Sequence, residues 1–331
     1  MDFALPTELA QRLSELDAFI DSEIVPLQHQ DDNERFFDHR REYARTDFEN
    51  GGVPRREWEE LLREMFRRAD AAGWLRYGLP AEVGGSDGSN LDMAVIREHL
   101  AHRGLGLHND LQNESSVVGN FPFVHMMLEY GTAEQKAQFL ESMLTRTTRI
   151  GFGLTEPEHG SDATWMETTA VRDGGDWIIV HENRIRQAAS GVGAGQYCID
   201  RSVSYARERR TFGRPLATRQ EIQWPLVELQ TEAEMVRGLV RKTAWELDRV
   251  PHMQISDKVS MCNYRANRLV CEAADRAMQV HGGLGNTRHV PFEHIYRHHR
   301  RYRITEGAEE IQMRKVAGYL FGFAGPGKVR S

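Results

Sequence analysis

The 331-residue sequence has few cysteines and no long apolar run. Its three cysteines, Cys198, Cys262 and Cys271, are too few and too widely spaced for a disulfide framework or a zinc site. We therefore expect buried, inert thiols in a reducing cytoplasm. No stretch approaches the roughly 18 apolar residues that a membrane span needs. Residues 1–9 lack the features of a secretory signal, so the sequence predicts a cytoplasmic protein without a membrane span.

The sequence also lacks an excess of positive charge. Lys and Arg total 42 against 49 for Asp and Glu, which gives a formal net charge of -7. The net field of such a chain does not attract nucleic acid or anionic membranes. The run of His and Arg at 294–303 therefore favours a surface helix or a local phosphate contact over a nucleic-acid patch. The spacing of His298 and His299 matches no metal-ligand motif.

Helical spacing of apolar residues dominates both halves of the chain. Thr132 and Gln135 have the spacing of a capping box, which predicts one further helix start. In the second half, long helices joined by short turns favour an antiparallel bundle. The predicted helices span residues 9–24, 54–72, 91–102, 181–208, 219–249, 254–281 and 306–320.

The middle of the chain has a different residue pattern. Short β-type runs occur at 149–154 and 177–180, and Val171 is a candidate member of a third, with turn residues between them. The helical period returns at once from His181. The sequence therefore predicts a mainly α protein, with an N-terminal helical domain (1–147) and a C-terminal antiparallel helical bundle (181–331) flanking a truncated β segment (148–180).

A glycine-rich run at 191–195 (GVGAG) superficially resembles a dinucleotide-binding loop. It lies within helical sequence and follows no strand, so the structural context of such a loop is missing. We interpret these glycines as allowing close packing of helices.

Three separated segments carry the chemistry: 151–162 (GFGLTEPEHGSD), 207–216 (RERRTFGRPL, followed by Gln220), and 279–283 (QVHGG), with 304–312 (ITEGAEEIQ) after it. They resemble the signatures of the acyl-CoA dehydrogenase family, in the family's order and near its spacing. The resemblance covers nearly the whole chain. It implies a flavoprotein that uses FAD to dehydrogenate an acyl-CoA and passes electrons to an electron-transferring flavoprotein.

In the first segment, the resemblance implies that Thr155 contacts the flavin, that Phe152 forms an apolar wall beside it, and that Ser161 lies near the acyl-CoA. The alternative is a β turn stabilised by side-chain to backbone bonds of Ser161 and Asp162.

The second segment supplies fixed positive charge and a forked donor, which suit a pyrophosphate. By resemblance, Arg209, Thr211, Phe212 and Gln220 hold the FAD of a neighbouring subunit, which implies a homodimer or homotetramer. The alternative is a solvated basic helix end.

In the third segment, the resemblance places Gln279, Gly282 and Gly283 at the adenosine end of FAD. The two glycines can also simply end a helix.

Glu306 is the predicted catalytic residue. The family's reaction removes the α-proton of an acyl thioester while the β-hydrogen leaves as hydride to the flavin. This requires one carboxylate base in a cavity dry enough to raise its pKa. The resemblance places Gly307 and Arg184 near the substrate. Alternatively, Glu306 is a surface carboxylate near a helix start, and Arg184 belongs to an ordinary surface ion pair.

Two departures from the family pattern stand near this base. Ala308 replaces a hydroxyl residue, which weakens the inferred FAD contact there. The position that carries the base in some members is Asn183, which cannot act as a base; Glu182 lies one place away, about 100° around the helix.

The β strands that complete the family's middle domain are absent between Val180 and His181. The lost part would cover one face of the flavin and shape the acyl channel. An alternative hypothesis is therefore a catalytically impaired remnant that acts as an oligomerisation or binding module. An acyl-CoA oxidase is a further alternative, since the reactivity of the flavin with oxygen depends on how closely the protein encloses it.

Overall fold

The computed structural model describes residues 4–110, 115–148, 160, 180–305 and 307–325, and helices dominate them. The N-terminal helices are α1 (Thr7–Phe19), α2 (Val25–His29), α3 (Arg41–Arg45), α4 (Arg56–Ala71), α5 (Asn90–His102), α6 (Pro122–Tyr130) and α7 (Ala133–Leu144). The C-terminal helices are α8 (Val180–Glu208), α9 (Gln220–Leu247), α10 (Ser256–His281), α11 (Phe292–Tyr302) and α12 (Glu309–Leu320).

The strands of the described residues form three short antiparallel hairpins. They pair β1 (Thr46–Asp47) with β2 (Val53–Pro54), β3 (Asn109–Asp110) with β4 (Ser115–Ser116), and β5 (Arg210–Thr211) with β6 (Arg214–Pro215). The mainly α architecture predicted from the sequence is confirmed. The predicted β runs at 149–154 and 177–179 and Val171 lie outside the described residues. Val180, expected at the end of a strand, is instead the first residue of α8.

The first predicted helix continues further than its apolar spacing indicated. A π-helical turn, Ile20–Ile24, joins α1 directly to α2. Pro26 lies in the first turn of α2 and has no N–H to donate. The wider turn before it is the kind of local adjustment that lets a helix pass such a residue. Leu16, Ile20, Ile24 and Leu27 are all buried along this segment, so the change of pitch keeps one apolar face inward.

Capping boxes fix two N-terminal helix starts. Thr132 accepts a hydrogen bond from the backbone N–H of Gln135 at 3.2 Å, and the Gln135 side chain accepts one from the Thr132 N–H at 2.9 Å. This confirms the predicted box. Ser89 and Asp92 form a second box at the start of α5, which the sequence analysis did not single out.

Three helices form the centre of the C-terminal bundle. Gln187, Gly191 and Gly195 on α8 lie against Asn263, Ala266 and Leu269 on α10 in that order, so α8 and α10 run in the same direction. The connecting helix α9 runs antiparallel to α10, because Glu232 pairs with Arg265 and Glu246 pairs with Lys258. The ends of α8 and α10 therefore lie at the same end of the bundle.

The glycines of α8 permit this packing. A Cβ on Gly193 would lie 2.1 Å from the carbonyl oxygen of Glu98 on α5, and one on Gly191 would lie 3.2 Å from the carbonyl oxygen of Ala266 on α10. The interpretation of residues 191–195 as a close-packing run is confirmed.

The run at 294–303 forms the predicted helix, but only one face of α11 lies at the surface. Arg297, Arg300 and Arg301 are exposed, whereas His294, His298 and His299 are buried. Burial lowers the pKa of His294 and His299 to about 3, so these rings are neutral near pH 7 and can pack as apolar groups. Within the described part of the chain, no helix has the length and apolar character needed to cross a bilayer.

Candidate cofactor and acyl-CoA sites

The chain leaves α8 through a tight hairpin that presents an aromatic side chain to solvent. Strands β5 and β6 pair Thr211 with Arg214, and the two residues between them, Phe212 and Gly213, have φ values of 49° and 78°. Positive φ at both central residues is the requirement of a type I′ turn, which Phe212 meets although it is not glycine. The Phe212 side chain is 95% exposed.

Arg219 braces this hairpin from the side. Its guanidinium donates a hydrogen bond to the Thr211 carbonyl oxygen at 3.2 Å and lies 5.5 Å from the centroid of the Phe212 ring. The backbone of Arg209 is also fixed, because its N–H donates to the Tyr205 carbonyl and its own carbonyl accepts from Leu216. The hairpin is therefore held in one shape before any ligand binds.

Exposed arginines surround the hairpin. Arg207, Arg209, Arg210 and Arg214 are all exposed, and none of them has an ion-pair partner among the described residues. Four uncompensated guanidinium groups around one turn give a locally positive surface on a chain whose net charge is -7. Such a surface suits phosphate groups.

The third motif lies at the same end of the bundle. Helix α10 ends at His281, whose ring stacks on Tyr205 of α8 with centroids 4.2 Å apart. Gly282 follows with φ of 63°, and no heavy atom lies within 4 Å of a Cβ placed on Gly282 or Gly283. This open backbone leaves room for close approach of a ligand.

The structure thus brings most of the predicted cofactor residues to one end of α8. They are Arg209, Thr211, Phe212, Gln220, Gln279, Gly282 and Gly283, all of which except the half-buried Thr211 are exposed. The remaining two, Phe152 and Thr155, lie outside the described residues.

Two of the three predicted substrate residues, Arg184 and Gly307, lie close together at the opposite end of α8. A Cβ on Gly307 would lie 3.6 Å from Nη2 of Arg184, which is in the first turns of α8. Arg184 therefore lies beside the chain next to Glu306. Glu306 itself and Ser161 lie outside the described residues. From Arg184 to Glu208, α8 rises by about 36 Å at 1.5 Å per residue.

Two residues that the sequence analysis did not select lie at this second end. Glu309 binds Arg303 through two contacts of 2.9 Å and Arg268 through contacts of 3.1 and 3.2 Å. Hydrogen bonds from Arg303 and then Arg268 lower the pKa of the Glu309 carboxyl to about 2. The Gln312 side chain donates to the Gly307 carbonyl oxygen at 3.0 Å and is 1% exposed. Since Arg268 is 41 residues from Glu309, local sequence gave no signal for this contact.

The cysteines contribute no reactive group. Burial raises the pKa of Cys198, raises that of Cys262 to about 12 and raises that of Cys271 to about 11. A thiol with such a pKa is protonated near pH 7 and is a poor nucleophile. The expectation of buried cysteines is confirmed.

Comparison with known proteins finds two family models that match separate parts of the chain. Residues 30–147 match the model of the N-terminal domain of acyl-CoA dehydrogenases, and residues 179–321 match that of their C-terminal domain. The two models describe the N-terminal and C-terminal domains of one class of CH–CH oxidoreductase. The chain belongs to the acyl-CoA dehydrogenase family.

Individual relatives are distant but match over most of their length. The CarC subunit of the caffeyl-CoA reductase–Etf complex of Acetobacterium woodii is 23% identical over 350 residues, covering 79% of this chain and 90% of CarC. Glutaryl-CoA dehydrogenase of Desulfococcus multivorans is 23% identical over 401 residues, covering 94% of this chain and 96% of that protein. A solved structure from Mycobacterium abscessus described as an acyl-CoA dehydrogenase superposes with a TM-score of 0.79 at 21% identity, covering 96% of this chain and 99% of the other.

These alignments also measure what the chain lacks. The alignment with glutaryl-CoA dehydrogenase has 401 positions but takes in 94% of the 331 residues here, about 311, which leaves about 90 positions without a counterpart. A deficit of this size agrees with the truncated middle segment that the sequence predicts.

Proposed function

We propose that this chain is an FAD-dependent acyl-CoA dehydrogenase in which Glu306 removes the α-proton of the bound thioester. Family membership supports the general reaction. The observation that carries the proposal is that the described residues of the cofactor motifs lie together at one end of α8, while Arg184 lies beside Gly307 at the other end.

The cofactor end fits FAD in shape and charge. Arg209 would bind the pyrophosphate, and Thr211, Phe212 and Gln220 would hold the adjoining part of the molecule. The carboxamide of Gln279 and the open backbone of Gly282 and Gly283 would lie at the adenosine. Bound FAD supplies the hydride acceptor of the reaction.

At the substrate end, Glu306 holds the α-proton after its removal, and Arg184, Ser161 and Gly307 line the thioester site. Phe152 and Thr155 would face the flavin from the middle segment. We assign residues 1–147, 148–180 and 181–331 to three domains on this basis. An electron-transferring flavoprotein is the proposed acceptor, since the relative CarC belongs to a complex with Etf.

The separation of the two ends supports an oligomer. About 36 Å of α8 lies between Arg184 and the hairpin, so the two proposed sites do not adjoin within one chain. The hairpin of one chain would therefore serve the cofactor of a neighbouring chain, in a homodimer or homotetramer. Trp224, Val227 and Met235 are 62%, 59% and 63% exposed on one face of α9 and offer an apolar surface for that contact.

Flavin absorbance tests the proposal directly. The purified chain should carry or take up FAD, and its flavin band should bleach without oxygen when a suitable acyl-CoA is added from a panel of short, branched, aromatic and dicarboxylic thioesters. A colourless chain that fails to take up added FAD would instead favour the non-catalytic remnant, for which the deficit of about 90 positions is the supporting observation.

The substitution Arg209→Ala further distinguishes the proposed dehydrogenase from the non-catalytic remnant. Loss of this guanidinium should weaken FAD binding about 10-fold or more, because a charge-assisted contact to phosphate is removed. Arg207→Ala, a second exposed arginine two residues away, is the matched control and should change FAD affinity by less than about 3-fold. Equal effects of both substitutions would mean that only the general positive field matters.

A further inference from the structure

The loop between α11 and α12 carries Glu306 in sequence, and the described residues Arg303 and Gly307 on either side of it contact the first turn of α12. Glu309 and Gln312 are three residues apart, so they lie on one face of this helix. Both are buried, at 9% and 1% exposure. Their neighbour Glu310 has the same charge as Glu309 and is exposed.

Gln312 anchors the loop at the residue directly after Glu306. Its Nε2 donates to the Gly307 carbonyl oxygen at 3.0 Å. Gly307 has φ of 94°, a conformation that side chains rarely adopt, and a Cβ there would lie 2.9 Å from the same Nε2. The hydrogen bond therefore favours glycine at position 307, because the Cβ of any other residue would crowd the Gln312 amide.

Glu309 anchors the same loop from its other side. The carboxylate accepts paired hydrogen bonds from Arg303, at the end of α11, and from Arg268 on α10. The Glu309 N–H also donates to the Arg303 carbonyl oxygen at 3.0 Å. These contacts join Arg303, which precedes the loop, to Glu309, which follows it. The loop between them is the short segment 304–308.

We propose that Glu309 and Gln312 are positioning residues that hold the backbone of Glu306 in place for proton abstraction. This inference rests on the proposed role of Glu306 as the base. A carboxylate base must stay within hydrogen-bond reach of the proton it removes, and a displacement of about 1 Å can lower a rate about 100-fold. The two anchors restrict such displacement without contacting the substrate.

The test uses substitutions that keep size and remove the anchoring contact. Gln312→Met removes the amide donor, Glu309→Gln removes the charge from the arginine clamp, and Glu310→Gln is the exposed control. In anaerobic stopped-flow measurements, Gln312→Met and Glu309→Gln should reduce flavin about 10- to 100-fold more slowly at saturating acyl-CoA. The acyl-CoA dissociation constant should change by less than about 3-fold, and Glu310→Gln should behave as the unsubstituted chain.

A second measurement does not depend on turnover. Hydrogen exchange of the amides in 304–308, followed by mass spectrometry, should accelerate in Gln312→Met while exchange elsewhere and the denaturant midpoint stay close to those of the unsubstituted chain. If exchange in this loop is the same in Gln312→Met as in the unsubstituted chain, Gln312 does not anchor the loop.

The outcomes separate the inference from the proposed function. If the unsubstituted chain never bleaches with any acyl-CoA, the proposed function fails, and the positioning role fails with it. If it bleaches and Gln312→Met and Glu309→Gln bleach equally fast, the function stands and the positioning role is wrong. A loss confined to substrate affinity would likewise contradict positioning of the base.

Discussion

At one end of α8 the described residues of the cofactor motifs are exposed, and at the other end buried side chains hold the backbone at Gly307. Phe212 and the arginines beside it face solvent on a preformed hairpin. Around Gly307, in contrast, a buried amide and a buried carboxylate with two arginine partners restrain the backbone. The difference fits the two tasks proposed above, in which one end receives the cofactor and the other holds the catalytic carboxylate in place.

The sharpest test of this contrast removes the base. Glu306→Gln should lower the rate of flavin bleaching by about 10²- to 10⁴-fold, since general base catalysis contributes that much. FAD affinity should stay unchanged, because the cofactor groups lie at the far end of α8. Anaerobic bleaching rate and flavin content of the same sample measure both effects. A variant that loses both together would show that the two ends are not independent.

The helix that separates the two ends can be disturbed at its tightest contact. In Gly193→Ala the new Cβ would lie 2.1 Å from the Glu98 carbonyl oxygen, so we expect a loss of about 3 kcal/mol in the free energy of unfolding. Gly238→Ala on α9 is the matched control. Its Cβ would meet nothing within 4 Å, and it should gain about 0.5–1 kcal/mol from helix propensity. Denaturant unfolding measures both; similar values for the two variants would contradict the close packing of α5 against α8.

The last expected effect concerns pH. Burial lowers the pKa of His108 to about 4 and those of His294 and His299 to about 3, from an ordinary value of 6.5. As pH falls below 6.5, these three imidazole rings therefore bind protons in the unfolded chain but stay neutral in the folded chain. The stability from these neutral rings is complete above pH 6.5 and is lost as pH falls toward 3 or 4, at up to about 1.4 kcal/mol per pH unit for each ring.

Denaturant unfolding at pH 7.5 and 5.5 checks this pH dependence. His299→Leu should reduce the difference between the two conditions, and substitution of the exposed His289 by Leu should not. An unchanged difference in His299→Leu would mean that other groups set the acid sensitivity.

The sequence predicted those features that depend on local chemistry. The capping box at Thr132 and the glycines at 191–195 follow from rules about neighbouring residues, and both predictions are confirmed. The hairpin residues were recognised as a motif, although their rigidity, which depends on Arg219 and the Phe212 turn, was not predicted.

Features that depend on distant partners escaped prediction. Glu309 was not selected from the sequence, because its partner Arg268 is remote in sequence. The histidines of α11 looked like surface residues, since charge and polarity in sequence do not reveal that burial keeps a ring neutral. Helix α6 was missed, because the run after Pro122 is too uniformly apolar to show helical periodicity.

The length of α8 has a consequence for how the protein would behave at different concentrations. Where the hairpin of one chain completes the cofactor site of another, an isolated chain has no complete site. FAD binding and association of chains then form one linked equilibrium, in which each promotes the other. Dilution would release cofactor, and added FAD would drive assembly, so the amount of protein present would set how much of it can hold its flavin.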